Sequence, residues 1–224
     1  MNARPRIALI SAVTAAIAPA RSALDELYPD AEVWNILDDR LLSDADERGG
    51  LDDPLRARMV RLIDHALAEG ADGVLLTCSL YGPVAADVRR DAPVLAPDEA
   101  AFREIAAAGY GSVLVVASFE GAKDDSVEQL TTALRAAESK TNVTGIAVPA
   151  AMAATKAQDS RALLAALSEA CVPYASQVDA VFLAQYSLAP AAHDLATALG
   201  VPVLSGPASS AVALRDLLSA ESAR

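Results

Sequence analysis

Gly73-Val74-Leu75-Leu76-Thr77-Cys78-Ser79-Leu80-Tyr81-Gly82-Pro83 is a short apolar run that breaks into hydroxyl residues, a cysteine and a Gly-Pro pair. Apolar residues without alternation predict a strand buried on both faces. A proline shortly after it suits the first position of a helix. The stretch has a counterpart in Ala180-Val181-Phe182-Leu183-Ala184-Gln185-Tyr186-Ser187-Leu188-Ala189-Pro190, with Pro83 and Pro190 lying 107 residues apart. Arg6–Ser11 matches Ser112–Ala117 at an offset of 106 residues, and Ala92-Pro93-Val94-Leu95 matches Val201-Pro202-Val203-Leu204 two residues further along. Near-equal offsets in three places predict two copies of one unit.

Outward from these strands the pattern alternates. Strands are expected at Arg6–Ser11, Ala31–Leu37, Gly73–Thr77 and Pro93–Leu95, with helices to about Tyr28, over Asp52–Glu69 and over Pro97–Ala108. Asp38–Gly50 is polar, ends in two glycines and reads as loop. The order then restarts. Strands are expected at Ser112–Ala117, Asn142–Val148, Ala180–Ala184 and Pro202–Leu204, with helices at Gly121–Glu138, Ala157–Ala170 and Pro190–Leu199 and a last one to about Ala220. Strands alternating with helices predict an α/β fold with mainly parallel sheets. The expected division is residues 1–96 as one lobe, with 206–224 packing back on it, and 97–205 as the other.

Composition narrows the function. The 224 residues are 53% hydrophobic and 21% charged, and 18 Lys+Arg against 30 Asp+Glu leave a net charge of −12. That balance argues against a nucleic-acid phosphate track and an anionic membrane surface, both of which need clustered basic residues. The first twenty residues mimic a signal peptide but read better as a strand and the start of a helix, so a cytoplasmic location is expected. Two cysteines, Cys78 and Cys171, make neither a disulfide framework nor a metal cluster. Cys171 reads as core, and His65 and His193 as surface residues. Asp98-Glu99 reads as the acidic start of a helix, favourable to its dipole. Gly109-Tyr110-Gly111 precedes a strand rather than following one, so it is no dinucleotide loop.

In open α/β sheets ligands sit beyond the carboxyl ends of the strands. Cys78 holds that place in the first copy and Gln185 in the second. Two such units facing each other would enclose a cleft, with these side chains approaching a small ligand from opposite sides. A thiol must ionise to act as base, and a helix opening at Pro83 with the amides of the 79–82 turn would favour the anion. Thr77 and Ser79 flank the thiol with hydroxyls. Ser11, Thr14, Ser118 and Ser187 offer amides and hydroxyls to a carboxylate and a developing enolate, and Tyr186 and Tyr81 are placed to line or cap the cleft. Basic residues are few near the strand ends, which leans toward mono- or dicarboxylates of modest size.

The chain resembles the aspartate/glutamate/hydantoin racemase superfamily. Leu75-Leu76-Thr77-Cys78-Ser79 with Gly82-Pro83 carry the resemblance, supported by Asn35–Leu42, Pro97–Ala100, Val116–Ser118 and Leu183–Ala189. It implies two flavodoxin-like lobes with four-stranded parallel sheets related by pseudo-two-fold symmetry, a small carboxylate in the cleft between them, no cofactor and often a homodimer. In typical members a cysteine from each lobe handles the proton. Here Gln185 stands in place of the second, and an amide does not titrate near neutrality. The acidic residue after the first strand is replaced by Ser11-Ala12, and the histidine after the second cysteine is missing. Cys78 is thus the candidate catalytic residue, and Ser11, Thr14, Thr77, Ser79, Ser118, Gln185, Tyr186 and Ser187 are the candidate substrate contacts. The expected reaction is single-cysteine proton transfer next to a carboxylate. A decarboxylase on the same scaffold and a non-catalytic carboxylate binder remain open.

Overall fold

The computed structural model describes residues 4–222. The chain forms two compact units. One runs up to Ala100 and takes in the segment from Pro207 onward; the other is Ala101–Gly206.

The first unit carries β1 (Arg6–Ser11), α1 (Ile17–Leu27), β2 (Glu32–Leu37), α2 (Leu41–Arg48), α3 (Asp53–Ala68), β3 (Gly73–Leu76), α4 (Gly82–Asp87) and β4 (Val94–Leu95). A helix that starts at its edge, α5 (Glu99–Ala108), leads into β5 (Ser112–Ala117), α6 (Glu120–Ala136), β6 (Asn142–Ala147), α7 (Pro149–Lys156), α8 (Ser160–Cys171), β7 (Ala180–Leu183), α9 (Ala192–Leu199) and β8 (Val203–Ser205) of the second unit. The last helix, α10 (Gly206–Ser222), follows. Among the described residues no helix is long and apolar enough to cross a membrane.

Each sheet has four strands, all parallel, in the orders β2-β1-β3-β4 and β6-β5-β7-β8. The two orders are the same topology, as the internal repeat predicts. The inner strands explain the unbroken apolar runs: Ile7–Ile10, Val74–Leu76, Val113–Ala117 and Ala180–Leu183 are all fully buried, because helices cover both faces of a parallel sheet. In the first unit Leu55, Met59 and Ile63 of α3 pack on Ala8, Ile10, Val74 and Leu76. In the second, Phe102 of α5 meets Phe182 of β7 edge to face at 5.5 Å, among Val113, Val115 and Leu130. Gly145 lets α6 lie close on β6, where an added Cβ would stand 2.6 Å from a Val127 methyl.

Three local readings are corrected. Residues 38–50 are not all loop, because α2 occupies Leu41–Arg48. Its buried side is only Leu41, Asp44 and Ala45, too narrow a stripe to outweigh the polar composition. Gly49 ends it in the left-handed conformation at φ 76°, a C-terminal signal legible in the sequence. Between β6 and α8 the structure has an additional helix, α7, and α8 starts at Ser160 rather than Ala157 because Asp159 caps it, accepting from the Ala162 N–H at 2.9 Å. Pro190 does not open α9; it lies inside a 3-10 stretch, Tyr186–Ala191, and α9 begins at Ala192.

Candidate functional site

With strand order 2-1-3-4, the connections from β1 and β3 leave on opposite sides, so a crevice opens beyond the carboxyl ends of these two neighbouring strands. Two residues past the end of β3, Cys78 has extended backbone (φ −125°, ψ 117°) and opens a 3-10 turn, Ser79–Tyr81, that runs into α4. Its side chain is half-buried and the thiol is free. Beside it a hydrogen-bond chain ties three strands together. The Thr77 hydroxyl donates to Ser11 Oγ at 3.0 Å, and Ser11 Oγ donates to Asn35 Oδ1 at 2.9 Å. Both hydroxyl protons are therefore committed within the protein, and Ser11 and Thr77, almost fully buried, shape the crevice floor.

The turn is pinned from behind. Tyr81 is fully buried and its phenol donates to the Leu41 carbonyl at 2.8 Å, so this tyrosine holds the turn against α2 and does not line an opening. The segment leading into α2 is fixed by Arg58, whose guanidinium reaches Asp38 Oδ1 at 2.6 Å and Asp44 Oδ2 at 2.7 Å, while Arg40 takes the other oxygen of Asp44 at 2.6 Å. Burial works against the Asp44 carboxylate, but the two arginines outweigh it and hold its pKa below the ordinary value.

Burial works against the anion that the turn before α4 would favour. Burial pushes the Cys78 thiol up to about 11; the Leu80 and Tyr81 N–H groups pull it down, and the charge of Asp98 pushes it further up. Loss of hydration outweighs a turn with few amides, and α4 has only six residues. The Tyr81 phenol is also raised, to about 12, chiefly by burial. At neutral pH this corner of the crevice carries a protonated thiol and a neutral phenol.

Asp98, read from sequence as a helix-start acid, is buried at 5% exposure. Ser79 Oγ donates to its Oδ2 at 2.5 Å, and its Oδ1 is buried without a hydrogen-bond partner. Burial raises its pKa to about 6, opposed by the Ser79 bond. Nothing in Pro97-Asp98-Glu99 distinguishes this arrangement from a solvated first turn, so sequence reasoning passed it over. The folded chain therefore binds this proton more tightly than the unfolded chain, whose Asp titrates near 3.9. Stability from this group is complete below about pH 4 and is lost as pH rises to about 6. The unfolding free energy of Asp98→Asn, relative to the unsubstituted protein, should gain on the order of 2 kcal/mol between pH 4 and pH 8. Urea titrations at the two pH values check this, and a pH-independent cost of the unpaired amide cancels in the comparison.

In the second unit Gln185 stands two residues past β7, also extended (φ −139°, ψ 138°) and also opening a 3-10 turn. Its Oε1 accepts the Ser118 N–H at 2.6 Å, so the amide ties the end of β7 to the end of β5. Ser118 and Tyr186 are buried, Ser187 is half-buried in the turn, and Thr14 of the first unit is exposed. Cys171 is fully buried in the second unit's core, and burial raises its pKa to about 11. His65 and His193 are exposed. Among the described residues no group of three or more His, Cys, Asp or Glu could hold a metal ion.

The sequence model of the Asp/Glu/hydantoin racemases matches residues 9–214. The chain belongs to this family. Solved relatives share the fold: the aspartate racemase of Picrophilus torridus superposes with a TM-score of 0.75 at 14% identity, covering 96% of this chain and 94% of that one. The allantoin racemase of Klebsiella pneumoniae gives 0.72 at 18% identity, over 97% and 89%. An unliganded arylmalonate decarboxylase gives 0.64 at 21% identity, over 94% and 92%. No curated protein matches the sequence. Cys78 stands at the switch point of the first sheet and Gln185 at the equivalent place in the second.

Proposed function

We propose that the protein is a racemase-like isomerase that moves a proton at the carbon next to the carboxylate of a small acid, through the single cysteine Cys78. The observation that carries this reading is the place of that thiol. It sits half-exposed at the carboxyl end of β3 beside β1, in a chain of the Asp/Glu/hydantoin racemase family. The thiol holds its proton at rest, so abstraction requires the bound ligand to bring the site to the thiolate form. In that form the sulfur takes the α-proton, the C–H electron pair becomes an enediolate on the substrate, and the thiol returns a proton to carbon. Inversion at one sulfur requires delivery to the other face by water.

A second reading is favoured by the protonated thiol. On a malonate-type acid the C–CO2 bond breaks, carbon dioxide leaves, and the electron pair stays as an enediolate. Cys78 then needs only to donate. In either case we take the protein to work without a cofactor, in the cytoplasm and as a homodimer, on a small carboxylate and not on nucleic acid or membrane.

Proton NMR in deuterium oxide tests the reading on aspartate, glutamate, hydantoins and aryl-substituted malonates. The isomerase exchanges the α-proton for deuterium with no loss of carbon. The decarboxylase releases carbon dioxide and leaves one deuterium per product. Ligand-induced thermal stabilisation without either change means binding only.

A further inference from the structure

We propose that Asp98, gripped by Ser79 beside the Cys78 turn, is a positioning residue that adds its charge to the burial already holding the Cys78 sulfur as a thiol, so that the site meets its ligand as a proton donor. The inference rests on Cys78 being the reacting group, and it agrees with the second reading above, in which that thiol donates.

Three features of the fold carry it. Asp98 is almost fully buried, where an acidic residue serving only a helix dipole has no reason to be. Ser79, the residue directly after the cysteine, donates to Asp98 Oδ2 at 2.5 Å, so the carboxyl is fastened to the backbone that carries the thiol. The other carboxyl oxygen is buried with no donor or acceptor against it. A buried oxygen left unpaired costs stability, which a purely structural carboxyl would avoid.

The charged and titratable groups around the sulfur are few. Asp98 raises the thiol's pKa, the Leu80 and Tyr81 N–H groups lower it, and the Tyr81 phenol stands next to it as a neutral group. Arg58, Asp38 and Asp44 act on that phenol from behind. Of these, Asp98 is the carboxyl that bears on the sulfur. Once it is ionised, a thiolate would be a second negative charge in the same poorly hydrated corner. Burial, with Asp98 adding to it, thus keeps the proton on the sulfur until a carbanion is there to take it. The S–H bond then breaks as the C–H bond forms, and the sulfur recovers a proton from solvent.

The test uses the full chain without substrate. Iodoacetamide labelling of Cys78 is followed from pH 7 to pH 11 by peptide mass spectrometry. Removing the charge in Asp98→Asn should move the labelling midpoint down by about one pH unit and speed labelling at pH 8 about threefold, since the gain in thiolate exceeds the loss in nucleophilicity. Ser79→Ala, which keeps the carboxylate, should stay near the midpoint of the unsubstituted protein. An unmoved midpoint in Asp98→Asn overturns the inference. Buried Cys171 reports on folding: if it labels in Asp98→Asn, that variant has opened, and Asp98→Ser is read on the same axis. A moved midpoint alongside α-proton exchange that survives Cys78→Ala overturns the proposed function and leaves this inference standing. An unmoved midpoint with exchange lost does the reverse.

Discussion

Cys78→Ala should lower α-proton exchange, or carbon dioxide release, by about 10²–10⁴-fold, the usual contribution of a positioned acid–base group. Little in the fold depends on this thiol. It is half-buried at the edge of the first unit's core, so its truncation costs less than one in the middle of a core. Circular dichroism and the urea midpoint should stay close to those of the unsubstituted protein. Cys78→Ser should lose nearly as much activity, because a hydroxyl is a far weaker acid than a thiol. Cys171→Ala gives the opposite pattern. That cysteine is fully buried in the second unit's core, so its truncation lowers stability and leaves the chemistry alone. Rates measured on all three variants under one set of conditions separate the two cysteines.

The largest stability effect is expected at Tyr81. Its ring is fully buried and its phenol donates to the Leu41 carbonyl at the start of α2. Tyr81→Ala should cost about 3–5 kcal/mol, as large aromatic truncations in closed cores do, and it removes the phenol's bond to that carbonyl. Tyr81→Phe keeps the ring and should cost about 1 kcal/mol, the loss of one buried hydrogen bond. Urea unfolding measures both. The site should register the difference too. The 3-10 turn that carries Cys78 is anchored by this residue, so Tyr81→Ala should loosen the thiol's surroundings and speed its alkylation more than Tyr81→Phe does.

The sequence made the architecture legible where burial on two faces leaves a mark. Ile7–Ile10, Val74–Leu76, Val113–Ala117 and Ala180–Leu183 are unbroken apolar runs because they are inner strands, and their spacing exposed the repeat. The helix α2 was hidden because only Leu41, Asp44 and Ala45 face inward while Asp44 pairs with Arg58 of α3, fourteen residues further along. Such long-range pairs leave no local period. The candidate site was legible in part. Cys78 stood out by its position past an apolar run, and Gln185 by the repeat. What the residues around it do was not legible, because hydrogen-bond partners are set by the folded geometry. Thr77 spends its hydroxyl proton on Ser11 and Ser11 spends its own on Asn35, Tyr81 anchors a turn, and Asp98 is buried where the sequence placed a solvated helix start. The sequence showed a helix start, and only the fold shows how far burial outweighs its amides.

The central claim is that the Cys78 sulfur carries the proton. The most direct measurement labels the protein partially with iodoacetamide and compares residual α-proton exchange with the fraction of Cys78 alkylated, read by peptide mass spectrometry. The account predicts that activity falls in proportion to Cys78 alkylation while Cys171 stays unlabelled, and that a small carboxylate substrate slows the labelling. Protein fully alkylated at Cys78 that still exchanges the α-proton at its original rate would contradict it.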